Sequence, residues 1–228
     1  MSSPMLMEKA IGYVILKQRM SRYTGKVLDE KHPQSVRARL ILRNILKGLV
    51  KRNPNYASGF RHFDDWIWEI AVIDDPTIFA YDILQGKIFI SNGLLEYFRN
   101  DTEVATIIRH EVGHFVARHH AECPTLPLSH RHMTELEADY IGLLLMASAG
   151  YDPRIAPKMW KKMEIWDSCD LPEMWDSFDL SEGLENEEED EDSLSTHPSD
   201  EERANFLAQN HIMEEALTIY YEVQAQFY

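Results

Sequence analysis

The feature that most constrains this chain is a helical run carrying two histidines on one face. From Asp101, read as the N-cap, a helical pattern continues without a Gly-Pro interruption to about Glu122. In its middle stands His110-Glu111-Val112-Gly113-His114. Four residues of α-helix turn through about 400 degrees, so both imidazoles leave the helix in nearly one direction and can share one ion. Glu111 is turned by about 100 degrees from His110, which sets its carboxylate beside such an ion, where a base that takes a proton from water has to stand. A solvated helix with scattered histidines would spell the same pattern, so a correctly placed third ligand has to decide.

One candidate is His120, whose spacing from His114 is that of the longer H-E-x-x-H-x-x-G-x-x-H pattern. That pattern uses a glycine to turn the helix aside, and this chain has Ala117 there. An unbroken helix carries His120 about 240 degrees away from His114. We therefore read His119 and His120 as solvated residues at a helix end. The other candidate is Glu135-Leu136-Glu137-Ala138-Asp139, on a helix expected from about Arg131 to Ala149. Glu135 and Asp139 are four apart and share a face, so one can bind a metal while the other receives the N–H of a ligand histidine. The loop from Cys123-Pro124 to Ser129 gives an antiparallel return to His114.

Around this pair the pattern is mixed. Met7, Ala10, Ile11, Val14 and Ile15 recur at helical spacing, so residues 1–23 form an amphipathic segment that packs on the core or touches a membrane surface peripherally. A helix is expected from Pro33 through Leu49, stopped by Asn53-Pro54. Trp66 to Ile73 reads as a buried strand, and Ile78 to Leu84 with Lys87 to Ser91 as a hairpin across Gln85-Gly86, the small sheet closing at Asn92-Gly93. Helical patterns return at Pro153 to Trp166 and from Ser199 to the C-terminus. The expected fold is α+β and mainly helical, one catalytic domain over residues 24–228 with a small sheet.

Charge matters only once it is located. The formal net charge is −15, but the stretch from Asp176 to Asp192 holds ten acids and no base, leaving 28 acids against 23 bases elsewhere, about −5. That stretch, within an insertion at about 176–193, is low in complexity and expected to be disordered. With no basic stripe left, nucleic acid is excluded as a partner class. Cys123 and Cys169 form no disulfide framework and have no metal-ligand spacing. The longest apolar run, Tyr140 to Gly150, is about half the roughly 20 residues of a membrane span, so no transmembrane span is expected. Lys9, Lys17, Arg19, Arg22 and Lys26 make the N-terminus positive, but with Glu8 and no clear apolar core it is not read as a removable targeting peptide.

Several further segments stand in order along the chain: Trp68 to Pro76, Gly86-Lys87-Ile88-Phe89-Ile90, and Ile107 to Glu122 with its Ala117-Arg118-His119-His120-Ala121-Glu122 ending. Downstream follow Glu135 to Gly142, Gly150-Tyr151-Asp152-Pro153, and Ser195-Thr196-His197-Pro198 followed by Arg203. Together they resemble the gluzincin-type peptidases of family 48, which include the CAAX prenyl proteases and the HtpX-like proteases, and most closely their mitochondrial inner-membrane branch. The likeness runs from about residue 24 to at least 207.

The resemblance implies a zincin-like fold with an active-site helix and an antiparallel third-ligand helix. It implies one Zn2+ ion held by His110, His114 and Glu135, with Asp139 behind a ligand and Glu111 as general base. His197, otherwise a loop histidine, would stabilise the oxyanion or sit on zinc in a latent state. The strand with Ile88, Phe89 and Ile90 would take an extended peptide along its edge. The activity implied is metalloendopeptidase action on unfolded or exposed polypeptide segments, in protein quality control. Two departures bear on substrate choice and setting: the family's Asn-x-Phe-x-x-Pro-Gly-Gly stretch is reduced to Ile78 to Gly86 with only Gly86 kept, and an acidic insertion precedes Ser195. The resemblance points to mitochondria, and the cytoplasm is the alternative. A reading of another class is a catalytically inactive, metal-stabilised protein-binding module, against which the presence of Glu111 argues. Oligomeric state is not readable from these patterns.

Overall fold

A computed structural model describes residues 17, 21–52, 68–83, 86–119, 128–167 and 198–227. The expected N-terminal helix, the acidic insertion, His120 and His197 lie outside these residues.

Helix α1, Pro33–Arg52, buries Ala38, Ile41, Leu42, Ile45 and Leu49, one face at a 3.6-residue period. Arg37 anchors its first half, donating to Asp101 Oδ1 at 2.7 Å and to the carbonyls of Leu95 and Phe98 at 2.8 and 2.9 Å. Strands β1, Glu69–Ile73, β2, Ala80–Ile83, and β3, Lys87–Ser91, form one three-stranded mixed sheet. The hairpin expectation holds: β2 and β3 pair antiparallel, with Gly86 at φ 73. β1 then joins β3 in parallel, so the order is β1-β3-β2 and β3 lies in the middle.

Asn92-Gly93 does not close the sheet but begins a short helix, α2, Asn92–Tyr97. The Ser91 hydroxyl accepts from Leu94 N at 3.1 Å and caps it. A Cβ on Gly93 would lie 2.1 Å from Pro76 O, which only glycine avoids.

Helix α3, Asp101–Ala117, starts one residue earlier than expected, capped by Asn100 rather than Asp101: Asn100 Oδ1 accepts from Thr102 N, and Asp101 and Glu103 stand in the first turn against the positive end of the dipole. It also ends early, at Arg118, which adopts the left-handed conformation at φ 64. Helix α4 spans Leu128–Ser148 and α5 spans Ile155–Asp167. The expected C-terminal helix is two: α6, Asp200–Leu207, opened by a Ser199/Glu202 capping box, and α7, Asn210–Gln224.

Two glycines let α3 and α4 approach closely. An ideal Cβ on Gly113 would sit 2.4 Å from the carbonyl oxygen of Ala138, and one on Gly142 would sit 2.8 Å from that of Arg109. The partner numbers rise on one helix as they fall on the other, so α3 and α4 are antiparallel, as expected. Around them Ile108, Val112, Leu143 and Met146 join the main core with Ile88 and Ile90 of the sheet. The molecule is thus α+β and mainly helical. Among the described residues, no helix is long and apolar enough to cross a membrane.

Candidate metal centre

The close crossing of α3 and α4 brings three donor groups together. His110, His114 and Glu135 each offer one ligand atom, all within 4.8 Å of one another. The two Nε2 atoms are 3.0 Å apart; His110 Nε2 is 3.1 Å from Glu135 Oε2, and His114 Nε2 is 3.2 Å from Glu135 Oε1. Two donors about 2.0–2.1 Å from one tetrahedral ion lie about 3.3–3.4 Å apart, so two imidazole nitrogens and a carboxylate at these separations fit one zinc-sized cation. Glu111 is buried beside His110.

Behind the donors stands a buried ionic cluster. Asp139 Oδ1 lies 3.1 Å from His110 Nδ1, leaving Nε2 of that ring for the donor cluster. Arg203 grips the same carboxylate from α6, Nε to Oδ2 at 2.7 Å and Nη2 to Oδ1 at 3.1 Å. The Arg203 guanidinium lies 3.5 Å from the centre of the Trp160 ring, which stands nearly perpendicular to the His110 ring with 5.9 Å between ring centres. Arg109 donates to the backbone carbonyl of Asp139. Burial alone would raise the Asp139 carboxyl; Arg203, His110 and Arg109 outweigh it and hold the group well below the usual carboxylate range. Burial pulls the Arg109 guanidinium the other way, down to about 10, against the attraction of Asp139.

His119 departs from its expected place. It is not a solvated helix end but 5 % exposed, with Nδ1 2.9 Å from His114 Nδ1 and Nε2 3.3 Å from Glu137 Oε2. The reason is Arg118: its left-handed turn ends α3 and folds the next residue back under His114. Burial first, and the His114 ring second, push the His119 imidazole below its ordinary value.

The strand expected to carry substrate needs a correction as well. Ile88, Phe89 and Ile90 belong to β3, which pairs with β1 through Ile70, Ala71 and Val72 and with β2 through Asp82, Tyr81 and Ala80. A strand bonded on both sides has no edge to offer. The outer side of β1 is partly covered, since Leu28 N donates to Val72 O and Asp74 N to Lys26 O. Among the described residues β2 has no strand on its other side, and it lies against α3.

Sequence reasoning named Arg203 without a role and missed Trp160. The available signal for Arg203 was an arginine just inside a capped helix, next to Ala204 and one turn before Leu207, both fully buried. Nothing in the sequence pairs Trp160 with it.

A model of peptidase family M48 matches residues 53–126 and 123–211. This chain belongs to peptidase family M48. Among M48 relatives, the mitochondrial metalloendopeptidase OMA1 of Arabidopsis thaliana is 33% identical over 96% of this chain and 60% of its own length. The proteins of that name from Schizosaccharomyces pombe and Saccharomyces cerevisiae are each 30% identical over 69% of this chain, and over 52% and 54% of their own lengths. The chain therefore spans between half and three-fifths of the length of these curated relatives.

Proposed function

We propose that this chain is a zinc-dependent metalloendopeptidase acting on extended polypeptide segments. The observation that carries the reading is the trio His110, His114 and Glu135, with donor atoms 3.0 to 3.2 Å apart and the buried Glu111 next in sequence to a donor. His110, His114 and Glu135 would hold the metal, which when bound supplies a Lewis acid for the scissile carbonyl and acidifies water. Glu111 takes the proton of the attacking water and returns it to the leaving amine nitrogen. Asp139, itself held by Arg203, fixes the His110 ring with Nε2 toward the cluster. His197 would donate to the developing oxyanion; the family resemblance supports this, together with the contact of Arg203, six residues further on, with His110.

An extended peptide would add to a sheet edge, and among the described residues β2, not the central β3, has a side with no strand paired to it. Main-chain pairing of this kind selects unfolded or exposed segments, which suits a role in protein quality control. The names of the relatives support a mitochondrial setting.

The test is Glu111→Gln. The variant should bind zinc like the wild type while casein cleavage falls by at least about 100-fold, because an amide cannot accept the proton. Cleavage near the wild-type rate would overturn the mechanism. A wild type that binds zinc but leaves casein intact would favour the inactive binding module instead.

A further inference from the structure

The two histidines of the cluster are held from behind in different ways. His110 Nδ1 faces a carboxylate, Asp139 Oδ1 at 3.1 Å, the usual arrangement for a metal-binding imidazole. His114 Nδ1 faces a second imidazole, that of His119, at 2.9 Å, with 5.0 Å between ring centres and the planes at 75°. Its other nitrogen, Nε2, belongs to the donor cluster. His119 Nε2 in turn lies 3.3 Å from Glu137 Oε2 on α4.

We propose that His119 is the positioning residue of His114, accepting its Nδ1–H and passing the load to Glu137. Proton counting leaves one consistent arrangement. If His114 presents the lone pair of Nε2 to a metal, its proton sits on Nδ1 and must be donated. His119 then accepts on Nδ1, carries its own proton on Nε2 and donates it to the Glu137 carboxylate. Each polar atom in the row has one partner of the opposite kind.

Local structure supports the role. Residue 119 on a continued helix would be turned about 140 degrees away from His114. Arg118 prevents this: its backbone N–H bonds back to His114 O and Phe115 O, and its φ of 64 reverses the chain. A side chain other than glycine takes that conformation only when its surroundings hold it there. Here the turn delivers a buried imidazole to Nδ1 of His114, the cluster histidine that Asp139 does not serve.

The inference rests on reading His110, His114 and Glu135 as metal ligands, so the experiment separates the two claims. Zinc affinity of the full chain is measured by competition with a chromophoric chelator, alongside the visible spectrum of the cobalt-substituted protein. Failure of the wild type to bind zinc would remove the ligand reading itself. With the wild type binding, His119→Phe, which keeps a ring but accepts no hydrogen bond, should lose about 10 to 100-fold in affinity and shift the cobalt bands. His119→Asn, smaller but with an amide oxygen near the place of Nδ1, should recover most of that loss. A residue that merely fills space would give the reverse order, Phe binding better than Asn, and this would overturn the proposal. So would folded variants that all bind zinc as the wild type does.

Discussion

Asp139 is the residue on which the charges of the centre converge. Its carboxylate faces His110 Nδ1, is gripped by Arg203 at two points and has Arg109 Nη2 3.6 Å away, all of it out of water. The folded group is held below the roughly 3.9 of an unfolded aspartate, so its contribution is complete above that value and fades as pH falls through the folded one. The metal-free protein should accordingly lose stability below about pH 4. Asp139→Asn should flatten that loss and be less stable at neutral pH by about 3–5 kcal/mol, because two buried guanidinium groups lose their counterion. Urea unfolding at several pH values checks both; an unchanged acid slope would show that Asp139 is not the sensitive group. That Glu135 and Asp139 share a face was legible in the sequence because four-residue spacing on a helix is local; which of the two faces the metal cluster was not, and came from the family resemblance. His119 was not, because its burial turns on one backbone dihedral at Arg118 that no periodicity encodes.

At the scale of elements, the centre depends on how closely α3 and α4 cross. Alanine is normally the better helix former than glycine, by about 1 kcal/mol. At position 113 the opposite is expected, because the added Cβ would lie 2.4 Å from a backbone oxygen of Ala138, which has no side-chain freedom to yield. Gly113→Ala should destabilise by about 1–3 kcal/mol and weaken zinc binding, since moving α4 outward moves Glu135 away from both histidines. Thermal unfolding with a metal titration measures both; a variant as stable as the wild type and equally tight would show that α4 shifts without cost. The same scale explains what was not legible in the sheet. A hairpin is a local pairing and was readable across Gly86, whereas the parallel pairing of β1 with β3 joins residues far apart in the chain and left no local mark. That one pairing puts β3 in the middle and leaves β2, among the described residues, with a strand on one side alone.

For the whole molecule, the donors link parts of the chain that are distant in sequence. Two come from α3 and one from α4, and α6 is tied to them through Arg203 and Asp139. A cation bound by the folded state alone therefore stabilises the domain as a unit, by an amount set by how far its free concentration exceeds Kd. At about 100 times Kd this is about 2.7 kcal/mol, and at about 2–4 °C per kcal/mol for a chain of this size it raises Tm by about 5–11 °C. Chelation should lower the Tm of the wild type by that amount. Glu111→Gln should show the same difference, because it changes the proposed base and leaves the donors. Glu135→Ala should show almost none, because it removes a donor, and its metal-free Tm sets the baseline for comparison. The contrast separates catalysis from binding within one calorimetric series. If Glu135→Ala keeps the full metal-dependent rise, the third donor lies elsewhere in the chain, and the crossing of α3 and α4 serves packing alone.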